Sequence, residues 1–108
     1  MLWRPPGAKI LAYSEPVDMR KAFDGLVALT RQLLQEDPLS GNVFLFFNRR
    51  ANIVKAIMWD RTGYCLFAKR LEQGKFRLTD GAKKQELSEQ KLKLLLDGIE
   101  LGKRTKMY

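Results

Sequence analysis

The sequence predicts an α+β domain: a mostly antiparallel sheet of four or five strands, with two helices packed mainly on one of its faces. Three observations carry that reading. Short apolar runs follow one another between Val43 and Leu78 with turn residues between them, which is the pattern of a meander. Apolar residues recur at helical spacing in two further segments, 19–35 and 88–97. The chain has 108 residues, 45% apolar and 30% charged, which suits one domain with one modest core. Residues 1–108 are therefore read as a single domain, ordered over about 8–100, with 101–108 as a flexible tail.

Lys9–Tyr13 reads as a first short strand, broken by Pro16. Asp18 stands where a helix N-cap would stand, ahead of a helix from Met19 to Gln35. Met19, Phe23, Leu26, Val27, Thr30, Leu33 and Leu34 would form its buried face. Gly25 lies inside that helix at a cost of ~1 kcal/mol relative to Ala, which fits either a close approach by another backbone or a tolerant surface position. The meander strands are Val43–Phe47, Ile53–Trp59, Tyr64–Arg70 and Lys75–Leu78. Asn48–Asn52 is a hairpin loop whose asparagines tolerate left-handed conformations. Asp60-Arg61-Thr62-Gly63 has the residues of a type I turn. The second helix runs from Ser88, its N-cap, to Asp97, with Leu92, Leu95, Leu96 and Ile99 as its stripe. Val43–Phe47 is apolar at every position, so alternation assigns it no single face. With both helices on one side of the sheet, its other face would need either a partner, which makes Phe44 and Phe46 candidate interface residues in a homodimer, or cover from the Trp3–Pro6 segment or the Leu101–Tyr108 tail.

Charge is the main functional signal. The chain nets +8, and the segment 48–84 holds ten of the twenty Lys and Arg against three acids, Asp60, Glu72 and Asp80. Such clustering on hairpins suits a polyanion, which rewards grouped cations through counterion release. The pI of about 9.9 fits nucleic acid better than a membrane surface. No run approaches the ~18 apolar residues of a membrane span, and the N-terminus lacks a secretory core, so the expected location is the cytoplasm. The one cysteine, Cys65, is read as a buried thiol among Tyr64, Leu66 and Phe67.

Most catalytic chemistry lacks its residues. There is no histidine, which removes the commonest general base and zinc ligand, and one cysteine cannot build a zinc finger. Neither a phosphate-binding P-loop nor a dinucleotide fingerprint occurs. Asp18, Asp24 and Asp60 are the only acids worth weighing as a metal-dependent nuclease site. The first two diverge by about 120° around a helix, and a cap and a turn explain Asp18 and Asp60. No catalytic residue, metal or cofactor is expected. Trp59 and Tyr64 could stack on bases, although packing is the more economical role for Trp59 beside Ile57 and Met58.

Several blocks occur in order: Val17-Asp18-Met19-Arg20-Lys21-Ala22-Phe23-Asp24-Gly25-Leu26, Pro38-Leu39-Ser40-Gly41, Asn48-Arg49-Arg50 and Trp59-Asp60-Arg61-Thr62-Gly63. They are followed by Leu66-Phe67-Ala68-Lys69-Arg70-Leu71-Glu72-Gln73-Gly74-Lys75-Phe76 and Leu94-Leu95-Leu96-Asp97-Gly98-Ile99. Over about residues 8–100 this resembles the TnpB, or Orf2-like, accessory proteins of IS66-type insertion sequences. Ala22 and Ala68 depart from the usual Gly and aromatic residue of that pattern. The resemblance implies a part in DNA transposition beside a separate, larger transposase that does the strand chemistry, and it supplies no catalytic residue. The resulting expectation is a non-enzymatic accessory protein that binds DNA at transposon ends. Its phosphate contacts would be Arg49, Arg50, Lys55, Arg61, Lys69, Arg70, Lys75 and Arg77. The alternative is a module that docks on the transposase or a second accessory protein through Arg20, Lys21 and the apolar strand.

Overall fold

Val43–Phe47 forms the central strand of a five-stranded sheet in the computed structural model, which describes residues 6–79 and 81–98. The described elements, in chain order, are β1 (Ile10–Tyr13), α1 (Phe23–Gln32), β2 (Val43–Phe47), β3 (Ile53–Asp60), β4 (Gly63–Arg70), β5 (Lys84–Leu87) and α2 (Glu89–Leu96). The sheet order is β4-β3-β2-β1-β5. β1 runs parallel to β2, and the other three neighbours are antiparallel. The expected α+β class and mostly antiparallel sheet are both present.

The helices differ from expectation: they lie on opposite faces of the sheet. Val43, Leu45 and Phe47 join Val54, Ala56 and Met58 in one core layer, closed by Leu92, Leu95 and Leu96 of α2. Phe44 and Phe46 join Leu11 and Ile57 in the other layer, closed by Leu26, Val27 and Leu29 of α1. An all-apolar strand is thus covered on both sides by its own chain, as a central strand must be. Phe44 and Phe46 are each 0% exposed, so neither is available to a partner, and the expected interface there is corrected. Residues 1–5 and the 101–108 tail, on which cover by the chain's own termini would rest, fall outside the described residues, as does Ile99.

Several local expectations also change. α1 starts at Phe23, not Met19, and its N-cap residue Ala22 makes no side-chain cap bond. Asp18 instead accepts the backbone N–H of Arg20 at 2.9 Å and grips the Arg20 guanidinium through both carboxylate oxygens. This is a local Asx-type turn, competing with a cap for the same side chain. Phe23 and Leu33, expected inside, are 46% and 37% exposed, while Leu29 is buried. A Cβ at Gly25 would meet Lys21 Cβ at 2.9 Å, so the glycine makes room for a side chain and not for another backbone. Cys65 is exposed on β4.

Lys75–Leu78 is not a strand. It crosses the sheet end as an irregular segment, with Phe76 buried against Phe47 at a ring separation of 6.0 Å. The fifth strand is Lys84–Leu87, which pairs with β1. Ser88 does cap α2, accepting the Lys91 N–H at 3.1 Å. In the Asn48–Asn52 loop the left-handed residue is Ala51, at φ 56°, while Asn48 bonds across the loop. Arg61 takes φ 48°, which departs from a type I turn, whose central residues both have negative φ.

Two predictions follow from this packing. Phe46→Ala should cost about 3–5 kcal/mol in urea unfolding, the range for truncating a fully enclosed aromatic; a cost under ~1 kcal/mol would contradict burial of β2 on both faces. The Arg20 guanidinium and N–H lower the Asp18 carboxyl to about 2. A lowered pKa contributes stability above the unfolded value of 3.8, and that stability is lost as pH falls through about 2. The stability difference between the wild type and Asp18→Asn should therefore be constant near neutrality and shrink as pH drops from 4 towards 2. A difference that grew on acidification would refute the pairing.

Candidate nucleic-acid interface

Strand directions decide which cations meet. The β2–β3 loop, the segment after β4, the end of β1 and the start of β5 all lie at one end of the sheet. The Asp60–Gly63 turn lies at the other end. Five of the eight expected phosphate contacts, Arg49, Arg50, Arg70, Lys75 and Arg77, fall at or beside the first end and are exposed. Arg61 is at the opposite end, beyond strands that span roughly 24 Å. It rests 3.9 Å from Asp60 and cannot share a compact patch with the others.

Lys55 and Lys69 are corrected as well. Lys55 Nζ donates to the carbonyls of Met19 at 2.7 Å and Lys21 at 2.8 Å, which fastens the approach to α1 onto β3. Lys69, on the other face, donates to the carbonyl of Leu96 at 2.7 Å and closes the C-terminal end of α2. Both ammonium groups are engaged with the protein's own backbone. Lys69 and Arg70 do point to opposite faces, as neighbours on a strand should.

The basic end is built from two bonded loops. Asn48 Oδ1 accepts the N–H groups of Asn52 and Ile53, each at 3.0 Å, and its amide donates to Asn52 Oδ1 at 2.6 Å. These bonds hold the Arg49-Arg50 tip in one shape. The segment following β4 is tied to that tip by Leu71 N–H to Asn52 O at 2.8 Å and Phe76 N–H to Ala51 O at 2.6 Å. Lys75 and Arg77 are thereby brought beside Arg49 and Arg50. An open cleft of about 310 Å³ lies under this junction, lined in part by Phe47, Arg49, Phe76 and Gln85.

Ion pairing sorts these cations further. Arg70 meets Glu72 at 2.9 Å, Lys83 meets Glu15 at 3.2 Å, and Lys84 meets Glu36. The Glu15 hydrogen bond raises the Lys83 pKa above its ordinary value. Among the described residues, Arg49, Arg50 and Lys75 have no acidic partner and no side-chain hydrogen bond. Lys83 and Lys84 belong to this end too, and sequence reasoning missed them because the strand that begins at Lys84 was not recognised. Asp80 falls outside the described residues.

The other candidates stay apart. Trp59 and Tyr64 pack edge to face on each other, with ring centroids 5.1 Å apart, both half-buried at the far end of the sheet. Arg20 is exposed but held by Asp18, and Lys21 is half-buried beside Gly25. Among the described residues, no group of three or more His, Cys, Asp or Glu side chains could hold a metal ion. No described helix is long and apolar enough to cross a membrane.

Comparison with known proteins fits this chain as a whole. The family model described as IS66 Orf2 like protein matches residues 8–106. An uncharacterized protein of Sinorhizobium fredii, y4jC, is 37% identical over 97 residues, covering 87% of this chain and 81% of the relative. A second from the same organism, y4hO, is 42% identical over 59 residues, covering 55% of this chain and 51% of that protein. No solved structure matches. With almost the full described fold inside the family match, the chain belongs to the IS66 Orf2-like family of insertion-sequence transposition accessory proteins.

Proposed function

We propose that this protein serves transposition as a non-catalytic DNA-binding accessory, gripping the phosphate backbone with the basic end of its sheet. The observation that carries this reading is that Arg49, Arg50 and Lys75, on two loops bonded to each other, have no partner among the described residues. Cations already paired with acids gain little from a phosphate, because the existing pair must first break. Unpaired ones gain the whole interaction and release a counterion for each phosphate. Arg77 lies beside the three, while Arg70, already held by Glu72, adds less. Loop tips can follow a backbone without a helix that enters the major groove, so contacts should be to phosphates more than to bases. Family membership supports DNA as the nucleic acid, since transposition acts on DNA.

Three to five neutralised phosphates would give a slope of log K against log salt of roughly −3 to −4.5 on duplex DNA. Reversing charge at Arg49→Glu with Arg50→Glu should flatten that slope by about 2 and weaken transposon-end and scrambled duplexes alike. Lys55→Met should leave the slope unchanged and lower folding stability by roughly 1.5–3 kcal/mol, because its ammonium is spent on two carbonyls. Polarisation binding assays at several salt concentrations, beside urea unfolding, read both effects. An unchanged affinity in the double reversal would remove the hairpin tip from the binding surface.

A further inference from the structure

The two edges of the sheet are protected very differently. β5 is four residues long, carries Lys84 and Glu86, and runs straight into α2. β4 is eight residues long, Gly63-Tyr64-Cys65-Leu66-Phe67-Ala68-Lys69-Arg70, with no proline, and each of its residues is in register with β3. Short length, edge charge, proline and bulges are the usual guards of an exposed edge. β4 has little of that protection. The charge of Lys69 is drawn to the Leu96 carbonyl and that of Arg70 to Glu72.

The hydrogen-bond parity of this edge is fixed. Leu71 N–H bonds to Asn52 O, and that residue pair continues the β3–β4 register, so odd-numbered residues of β4 bond inwards to β3. The backbone N–H and C=O groups of Tyr64, Leu66, Ala68 and Arg70 therefore point outwards. Among the described residues, none of them has a partner. Tyr64, Leu66 and Phe67 are only partly buried, each at the margin of a core layer that ends at β4.

We infer that β4 is a docking edge for a second copy of this chain, antiparallel strand to strand, making one continuous sheet. The edge is complementary to itself. A two-fold axis through the sheet at Phe67 pairs Tyr64 with Arg70 and Leu66 with Ala68, and so uses all four outward residues. Side-chain parity is kept, so each core layer of one copy continues into the same layer of the other. The two phenylalanines at position 67 meet across the axis at a non-hydrogen-bonded pair, where side chains lie closest. Antiparallel pairing also carries the Lys69-Arg70 ends of the two strands to opposite ends of the seam, whereas parallel pairing would set like charges together. Arg70 comes to lie beside the tyrosine ring of the other copy, a favourable place for a guanidinium. β5 is the weaker candidate, since it is only four residues long and two of the four, Lys84 and Glu86, are charged.

The test is sedimentation of the full chain from micromolar concentration upwards, at low and high salt. A dimer is expected, and it should persist or tighten as salt rises, because two chains of net +8 repel each other less when screened. Ala68→Pro removes one outward N–H per copy without touching a bond to β3, and should raise the dimer dissociation constant about tenfold or more. Ala68→Lys places charge on the edge and should act in the same direction. Circular dichroism and thermal unfolding of both variants report whether the monomer still folds. In a Cys65→Ser background, Phe67→Cys should cross-link two copies on mild oxidation. A monomer at every concentration and salt overturns the inference, as does a dimer indifferent to both Ala68 substitutions. DNA binding by the basic end is read separately and weakens with salt, so either result stands without the other.

Discussion

Burial of β2 on both faces is the constraint on which the rest of the molecule depends. Five consecutive apolar residues cannot face water on either side, so each face needs its own layer. The chain meets that need with one helix per face, α1 over Phe44 and Phe46, and α2 over Val43, Leu45 and Phe47. A three-layer arrangement in so short a chain leaves few residues for anything else. Both helices are brief, and each is fastened to the sheet by a lysine that reaches a backbone carbonyl, Lys55 for the approach to α1 and Lys69 for the end of α2.

That fastening determines where free charge can remain. A strand face covered by a helix turns its cations inwards, towards carbonyls, and the loops at the sheet end are left to carry solvent-facing charge. Asn48 bonds across the tip while Phe76 roofs Phe47, so two segments distant in sequence share one rim. The basic end is thus a by-product of how the core is closed. Its rigidity comes from backbone and amide bonds, which leaves the guanidinium groups of Arg49 and Arg50 without a structural task.

Much of this was legible in the sequence, for identifiable reasons. The β2–β3–β4 meander announced itself through short apolar runs and turn residues, and Ser88 announced α2 through its hydroxyl. The side of the sheet taken by each helix was not legible, because an all-apolar strand carries no alternation to record it. β5 was hidden by its composition: Lys84-Gln85-Glu86-Leu87 has one large apolar residue and pairs with β1 across more than seventy residues. Lys75–Leu78 imitated a strand because Phe76 and Leu78 alternate with cations, although both serve a segment that lies over the sheet end. Asp18 carried the right residue type for a cap and formed an Asx-type turn with Arg20 instead, since short polar side chains serve either role. Of the eight expected phosphate contacts, parity alone could have set Lys69 apart from Arg70. The Ile53–Trp59 strand between the two turns already implies that Arg61 is a strand's length from the hairpin tip, whereas only tertiary contacts reveal that Lys55 is occupied.

The most direct measurement is amide chemical-shift mapping of isotope-labelled protein titrated with a short transposon-end duplex. The largest shifts should fall on Asn48–Asn52 and on Leu71–Thr79, with residues 60–63 and α1 unmoved. Shifts centred on that turn or on α1, with the Arg49-Arg50 tip silent, would contradict a DNA-binding role for the basic end.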